Sequence, residues 1–206
     1  MRRLGRGDLP RETHALARAL IGSLLVRRLP DGQLIGGRIV ETEAYPPGDP
    51  AAHAFRGQTP RNSAMFLQPL HAYVYFIYGT VWCFNVTSES RGIGAAVLIR
   101  ALEPRFGVDV MRVARGQRAP DRDLTRGPGR LCAALAIDRE IDGVDLARSR
   151  AIWLATDGTP VPLIGQSTRI GLTKAVDEPH RYFARGSTFV SGPRALSLEK
   201  DRCRRA

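Results

Sequence analysis

The chain has 206 residues, 43% of them hydrophobic, with 31 Lys and Arg against 20 Asp and Glu for a net charge of +11. Such length and apolar content fit one folded domain and exclude a disordered chain, and the cationic excess points to a polyanionic partner, nucleic acid before an anionic membrane surface. Cys83, Cys132 and Cys203 are scattered without a C-x-x-C pair, which excludes a disulfide framework and a structural zinc site and fits a reducing cytoplasm.

Met1 to Asp8 is basic, with no apolar signal core after it and no segment of transmembrane length anywhere. Asp8-Leu9-Pro10-Arg11-Glu12 predicts a helix start, with Asp8 as cap, and the helix runs through Leu16 and Leu20 to about Ile21. Ser23 to Leu29 reads as a strand, Pro30-Asp31-Gly32-Gln33 as a turn, and Leu34 to Tyr45 as a long partner strand. Residues 46–62 form a Pro/Gly-rich loop holding His53. Ala72 to Tyr78 and Val81 to Thr87 read as a hairpin around Gly79-Thr80.

Ala95 to Leu102 predicts an apolar strand stopped by Glu103-Pro104, followed by a helix over Phe106 to Arg115. The charged stretch from Gly116 to Arg126 is a surface loop, and Gly127-Pro128-Gly129 leads into a helix over Leu131 to Ile137. Ala151 to Ala155, Pro162 to Ile170 and Arg181 to Arg185 predict short strands, and residues 199–206 a flexible basic tail. Antiparallel strands with helices added around them, rather than alternating βαβ units, predict the α+β class as one domain over residues 1–206.

Alternation along a strand puts Glu41, Glu43 and Tyr45 on one face and Val40, Thr42 and Ala44 on the other. The first face thus gathers two carboxylates and a phenol where a core would want apolar groups. In the hairpin, Tyr73, Tyr75 and Ile77 share one face, while Tyr78 stands beside the tip. Plain β-propensity accounts for Tyr73 and Phe76. It accounts less well for a tyrosine at a tip, where an aromatic wedge can enter a minor groove and unstack a base step. Arg100 interrupts the apolar run Val97-Leu98-Ile99. If buried it needs an anionic partner, and a nearby glutamate held ionised by it would serve.

Other chemistries fail on inventory. There is no H-x-E with P-C-x-x-C, no Walker A loop, no G-x-G-x-x-G and no G-x-S-x-G. The histidines lack metal-ligand spacing, so no metal site is expected. Lys174 and Lys200 are the only lysines and lie outside the motif block, leaving an amine nucleophile unsupported. The residues alone leave three readings open: an enzyme acting on a nucleic-acid base, a non-catalytic nucleic-acid-binding module, and a small-molecule hydrolase using Glu41 and Glu43 as an acid–base pair.

Arg38-Ile39-Val40-Glu41-Thr42-Glu43-Ala44-Tyr45, His53, Gln58-Thr59-Pro60-Arg61-Asn62, Tyr73-Val74-Tyr75, Tyr78-Gly79, Asn85 and Leu102-Glu103-Pro104 resemble the alkyladenine (3-methyladenine, N-methylpurine) DNA glycosylases. Gly127-Pro128, Leu131-Cys132 and Arg185-Gly186-Ser187 extend the resemblance over most of the chain. It implies one compact domain around a curved antiparallel sheet, with a hairpin protruding into DNA. It implies an enzyme that flips a damaged purine out of duplex DNA and hydrolyses its N-glycosidic bond without metal or cofactor. It further implies double-stranded DNA as the partner; one basic DNA-binding face predicts a monomer, no membrane partner is expected, and the cysteine pattern fits the cytoplasm, at the nucleoid. By resemblance, Glu43 is the base that activates water and Arg100 helps position that water. Tyr45, His53 and Tyr75 sandwich the flipped base, Asn85 excludes the 2-amino group of guanine, and Tyr78 fills the gap in the duplex. Thr59, Arg61 and Thr80 touch the DNA. Thr80 and Val81 are smaller than family members carry at the hairpin, and the loop from His53 to Gln58 is slightly shorter.

Overall fold

The computed structural model describes residues 1–77 and 79–193; the expected roles of Tyr78 and of the basic tail lie outside these residues. Elements follow in the order β1 (Arg2–Arg3), α1 (Thr13–Leu20), β2 (Leu24–Arg28), β3 (Leu34–Tyr45), β4 (Ala72–Ile77), β5 (Val81–Thr87), β6 (Ala96–Phe106), α2 (Val108–Arg115), α3 (Pro128–Ala134), β7 (Ile152–Thr156), β8 (Ile164–Ser167) and β9 (Arg181–Ala184). The strands form one antiparallel sheet in the order β1-β7-β2-β3-β6-β5-β4, with β9 added to β3 and β8 to β9.

β3 is the spine. Its first half pairs with β2 and its second half, at Glu41 to Glu43, with β9. β6 runs along it from Gly36 to Tyr45. Ile35, Ile39, Val40 and Ala44 of β3 join the main core with Leu16 and Leu20 of α1 and Leu131 of α3. Thr42 faces the same way, donating its hydroxyl to the Ala17 carbonyl at 2.9 Å. The opposite face is left for Glu41, Glu43 and Tyr45. Farther along the sheet, Leu24, Val26, Trp153 and Ala155 make a smaller cluster, where Arg3 lies 4.9 Å from the Trp153 ring centroid.

Three local expectations differ. Helix α1 starts at Thr13, because Glu12 caps it by accepting from the amides of His14 (2.8 Å) and Ala15 (2.6 Å). Asp8 instead closes the preceding turn, accepting from the Gly5 amide and pairing with Arg2. β6 runs through Pro104 to Phe106. The proline needs no ladder donor at the register shift opposite Gly36 and Gly37, and a Cβ on Gly37 would lie 2.3 Å from the Glu103 carbonyl oxygen. Strand β1 was hidden by the basic character of Arg2-Arg3; it pairs with Thr156 and Ala155. Among the described residues no helix is long and apolar enough to cross a membrane.

Candidate active site

Glu41 and Glu43 are both fully buried. Arg100, on the neighbouring strand β6, bridges them: its Nε is 3.1 Å from Glu41 Oε1 and its Nη1 is 3.2 Å from Glu43 Oε2. The sequence expectation that a buried Arg100 must meet a glutamate therefore holds twice over.

The two carboxylates have different surroundings. Glu41 Oε1 also accepts from Arg181 Nε at 2.6 Å, and its Oε2 accepts from the Ser191 amide at 2.6 Å. Burial works to raise the Glu41 pKa, but the charges of Arg100 and Arg181 outweigh it and hold the carboxyl below the usual glutamate value. Two guanidiniums and a backbone amide hold Glu41 in place, which makes it an anchor. A carboxyl held ionised in this way has no proton to give at neutral pH, which speaks against Glu41 as the acid of an acid–base pair with Glu43.

Glu43 Oε1 accepts from the Ile170 amide at 2.8 Å, and its Oε2 accepts from the Tyr45 hydroxyl at 3.0 Å. Burial and the Glu43 charge push the Tyr45 phenol well above its ordinary pKa, so it is a neutral donor. On Tyr45 lies the guanidinium of Arg169, 4.6 Å from the ring centroid. Arg169 is paired with buried Asp49 and donates to the Ala44 carbonyl at 3.0 Å.

Tyr45 opens onto a cleft of about 100 Å³, shared with His53, Tyr75, Ile77, Asn85 and Leu172. The His53 ring stands edge-on to Tyr75, with centroids 4.5 Å apart at 71°, and its Nδ1 is 2.8 Å from the Tyr73 hydroxyl. Burial and the nearby Arg61 charge lower the His53 pKa, favouring the neutral ring. Burial likewise drives Tyr75 upward. Asn85 donates its amide to the Tyr73 carbonyl at 3.0 Å, which fixes its side chain at the cleft wall.

The His53 loop is tied down by Asn62. Its amide donates to the carbonyls of His53 (2.9 Å) and Gly57 (3.0 Å), while its oxygen accepts from the Thr59 amide (2.6 Å). Exposed Arg61 joins this loop to the hairpin by donating to the Phe76 carbonyl at 2.9 Å. Thr80 is exposed at the hairpin turn, next to Gly79 with φ of +65°.

The fold thus brings Tyr45, His53, Tyr75 and Asn85 together around one cleft; Glu43 and Arg100 are not in its lining but join it through the Tyr45 hydroxyl. Thr59, Arg61 and Thr80 stand on the surface beside it, outside the cleft. Sequence reasoning missed Arg169, Asp49, Arg181, Ser191 and the Ile170 amide. A buried arginine inside the short apolar strand Arg181-Tyr182-Phe183-Ala184 was the one available signal, of the same kind that singled out Arg100.

Comparison with known proteins identifies the family. The family model of methylpurine-DNA glycosylase matches residues 8–188. A Mesorhizobium japonicum protein named among the 3-methyladenine DNA glycosylases is 58% identical over 193 residues, covering 94% of this chain and 92% of its own length. A similarly named Paraburkholderia phytofirmans protein is 47% identical over 191 residues, covering 93% and 89%. The human DNA-3-methyladenine glycosylase is 44% identical over 204 residues, covering 92% of this chain and 68% of the human protein. With a family match across most of its length and relatives this similar, the chain belongs to the methylpurine-DNA glycosylase family.

Proposed function

We propose that this protein, acting as a monomer, excises alkylated purines, 3-methyladenine among them, from double-stranded DNA by hydrolysing the N-glycosidic bond and leaving an abasic site. The observation that carries the reading is the arrangement of Glu43: a buried carboxylate, bonded to Arg100 and to the hydroxyl of an aromatic residue that lines a cleft. An ionised carboxylate has about four acceptor positions. Arg100, Tyr45 and the Ile170 amide take three, and the fourth is left to accept from a water.

A damaged nucleotide leaves the duplex, and its base enters between Tyr45, His53 and Tyr75. Unstacking costs a few kcal/mol, least for a damaged or poorly paired base. Stacking on aromatic rings returns about 1–3 kcal/mol per base. As the bond from C1′ to the base nitrogen breaks, its electron pair leaves with the base and the sugar gains oxocarbenium character. The Glu43 charge stabilises that cation, and the carboxylate takes the proton of the attacking water. Alkylated purines that carry a positive charge depart as neutral bases, which makes them good leaving groups and good partners for electron-rich rings. Asn85, fixed by Tyr73, closes the wall against the 2-amino group of guanine. Thr59, Arg61, Thr80 and Tyr78 meet the duplex, with Tyr78 filling the gap.

The test is a panel of duplexes, each with one altered purine, incubated with the protein and then treated with alkali to cleave abasic sites. Strand breaks at 3-methyladenine or 7-methylguanine positions and none in undamaged duplex are the expected result. Tight binding with no breaks at any lesion would favour the non-catalytic module instead.

A further inference from the structure

Tyr45 has two faces, and only one meets the cleft. Tyr45 lines the cleft, whereas the Arg169 side chain is fully buried and is absent from the lining residues. With its guanidinium 4.6 Å from the ring centroid, Arg169 therefore covers the face of Tyr45 turned away from the cleft. This is a cation already seated on the ring against which a base would stack. Asp49 partly offsets it, as a bidentate partner of the guanidinium.

We propose that Arg169 and Asp49 set how strongly this site prefers cationic over neutral purines, acting through Tyr45 without touching the base. The inference rests on the reading of the cleft as the base pocket. A ring attracts a cation through the negative charge density of its face. A guanidinium on one face draws on that density and repels a second cation on the other, so a positively charged base gains less from Tyr45 than an unburdened ring would give. A neutral base loses little. Arg169 thus trades affinity for cationic bases against breadth of substrate, and Asp49 sets how much of that repulsion is felt. The Coulomb effect is sizeable because the pair is buried, where screening by solvent is weak.

The experiment measures single-turnover release of 7-methylguanine, a cation, and hypoxanthine, which is neutral, from otherwise identical duplexes. The readout is the ratio of the two rates. Replacing both members of the pair, Arg169→Met with Asp49→Asn, leaves no buried unpaired charge, and is expected to raise the ratio about threefold. Asp49→Asn alone leaves the guanidinium uncompensated and is expected to lower the ratio. Arg169→Lys keeps the charge and is expected to leave the ratio near wild type. Should the double variant not fold by circular dichroism, the fall in ratio for Asp49→Asn decides the matter. A common loss of both rates with an unchanged ratio in the folded variants would assign the pair a purely structural role and overturn the proposal. Release of neither base by the wild-type protein would overturn the functional reading itself, and the proposal with it.

Discussion

Two glutamates two positions apart on β3 are held by one arginine, yet they do different work. Glu41 is closed in by Arg100, Arg181 and the Ser191 amide. Removing its charge would take a buried anion from both Arg181 and Arg100. Glu41→Gln is therefore expected to lower stability by roughly 3–5 kcal/mol, the cost of breaking a buried ion pair, read from urea unfolding at neutral pH. The acid side gives an independent check. The Glu41 pKa is depressed in the folded protein, so its contribution is complete above the unfolded value near 4.5 and is lost as pH falls through the lower folded value. The wild-type stability should thus fall more steeply below that pH than the Glu41→Gln stability does. Parallel acid profiles would show that Glu41 is not the group being titrated.

Strand β3 places these side chains, and β3 was the most legible element. Its bounds, Leu34 to Tyr45, follow from the turn at Asp31-Gly32 and the alternation of apolar and polar residues. That Glu43 and Tyr45 share a face was legible for the same reason, since period-two alternation decides it within a strand; Arg100 was legible as a buried cation in need of a carboxylate, and Tyr75 joined them only through the family resemblance. What stayed hidden were partners brought in from far along the chain. Arg181 reaches Glu41 across 140 residues and Arg169 reaches Asp49 across 120, and no local pattern encodes such pairings. β6 was read as too short because Pro104 is an ordinary strand breaker, and only the glycine pair opposite it makes the proline tolerable. The loop between β5 and β6 carries a further dependency. A Cβ on Gly94 would lie 2.5 Å from Ala54 Cβ, beside His53, and 2.5 Å from the Phe66 ring. Gly94→Ala is expected to cost about 1–3 kcal/mol through overpacking and to slow base release by moving the His53 loop. Gly7→Ala, which meets nothing within 4 Å, serves as the control. Equal melting temperatures for the two variants would contradict this packing account.

At the scale of the whole molecule, the net charge of +11 has to act through phosphates. Neutralising phosphates releases counterions, so duplex affinity should drop steeply with salt, by about a thousandfold between 50 and 200 mM if some six phosphates are contacted. Fluorescence anisotropy titrations measure this directly, and a salt-independent affinity would remove charge from the account of binding. The same charge does not perform the chemistry. In the proposed mechanism, binding and bond cleavage belong to different groups, the cationic surface and the buried carboxylate, and so a single substitution should separate them. The decisive measurement is single-turnover release of 3-methyladenine from duplex DNA by Glu43→Gln, with duplex affinity determined in parallel. Loss of release by several orders of magnitude with affinity retained is the predicted result. Release at the wild-type rate would contradict the assignment of Glu43 as the group that activates water.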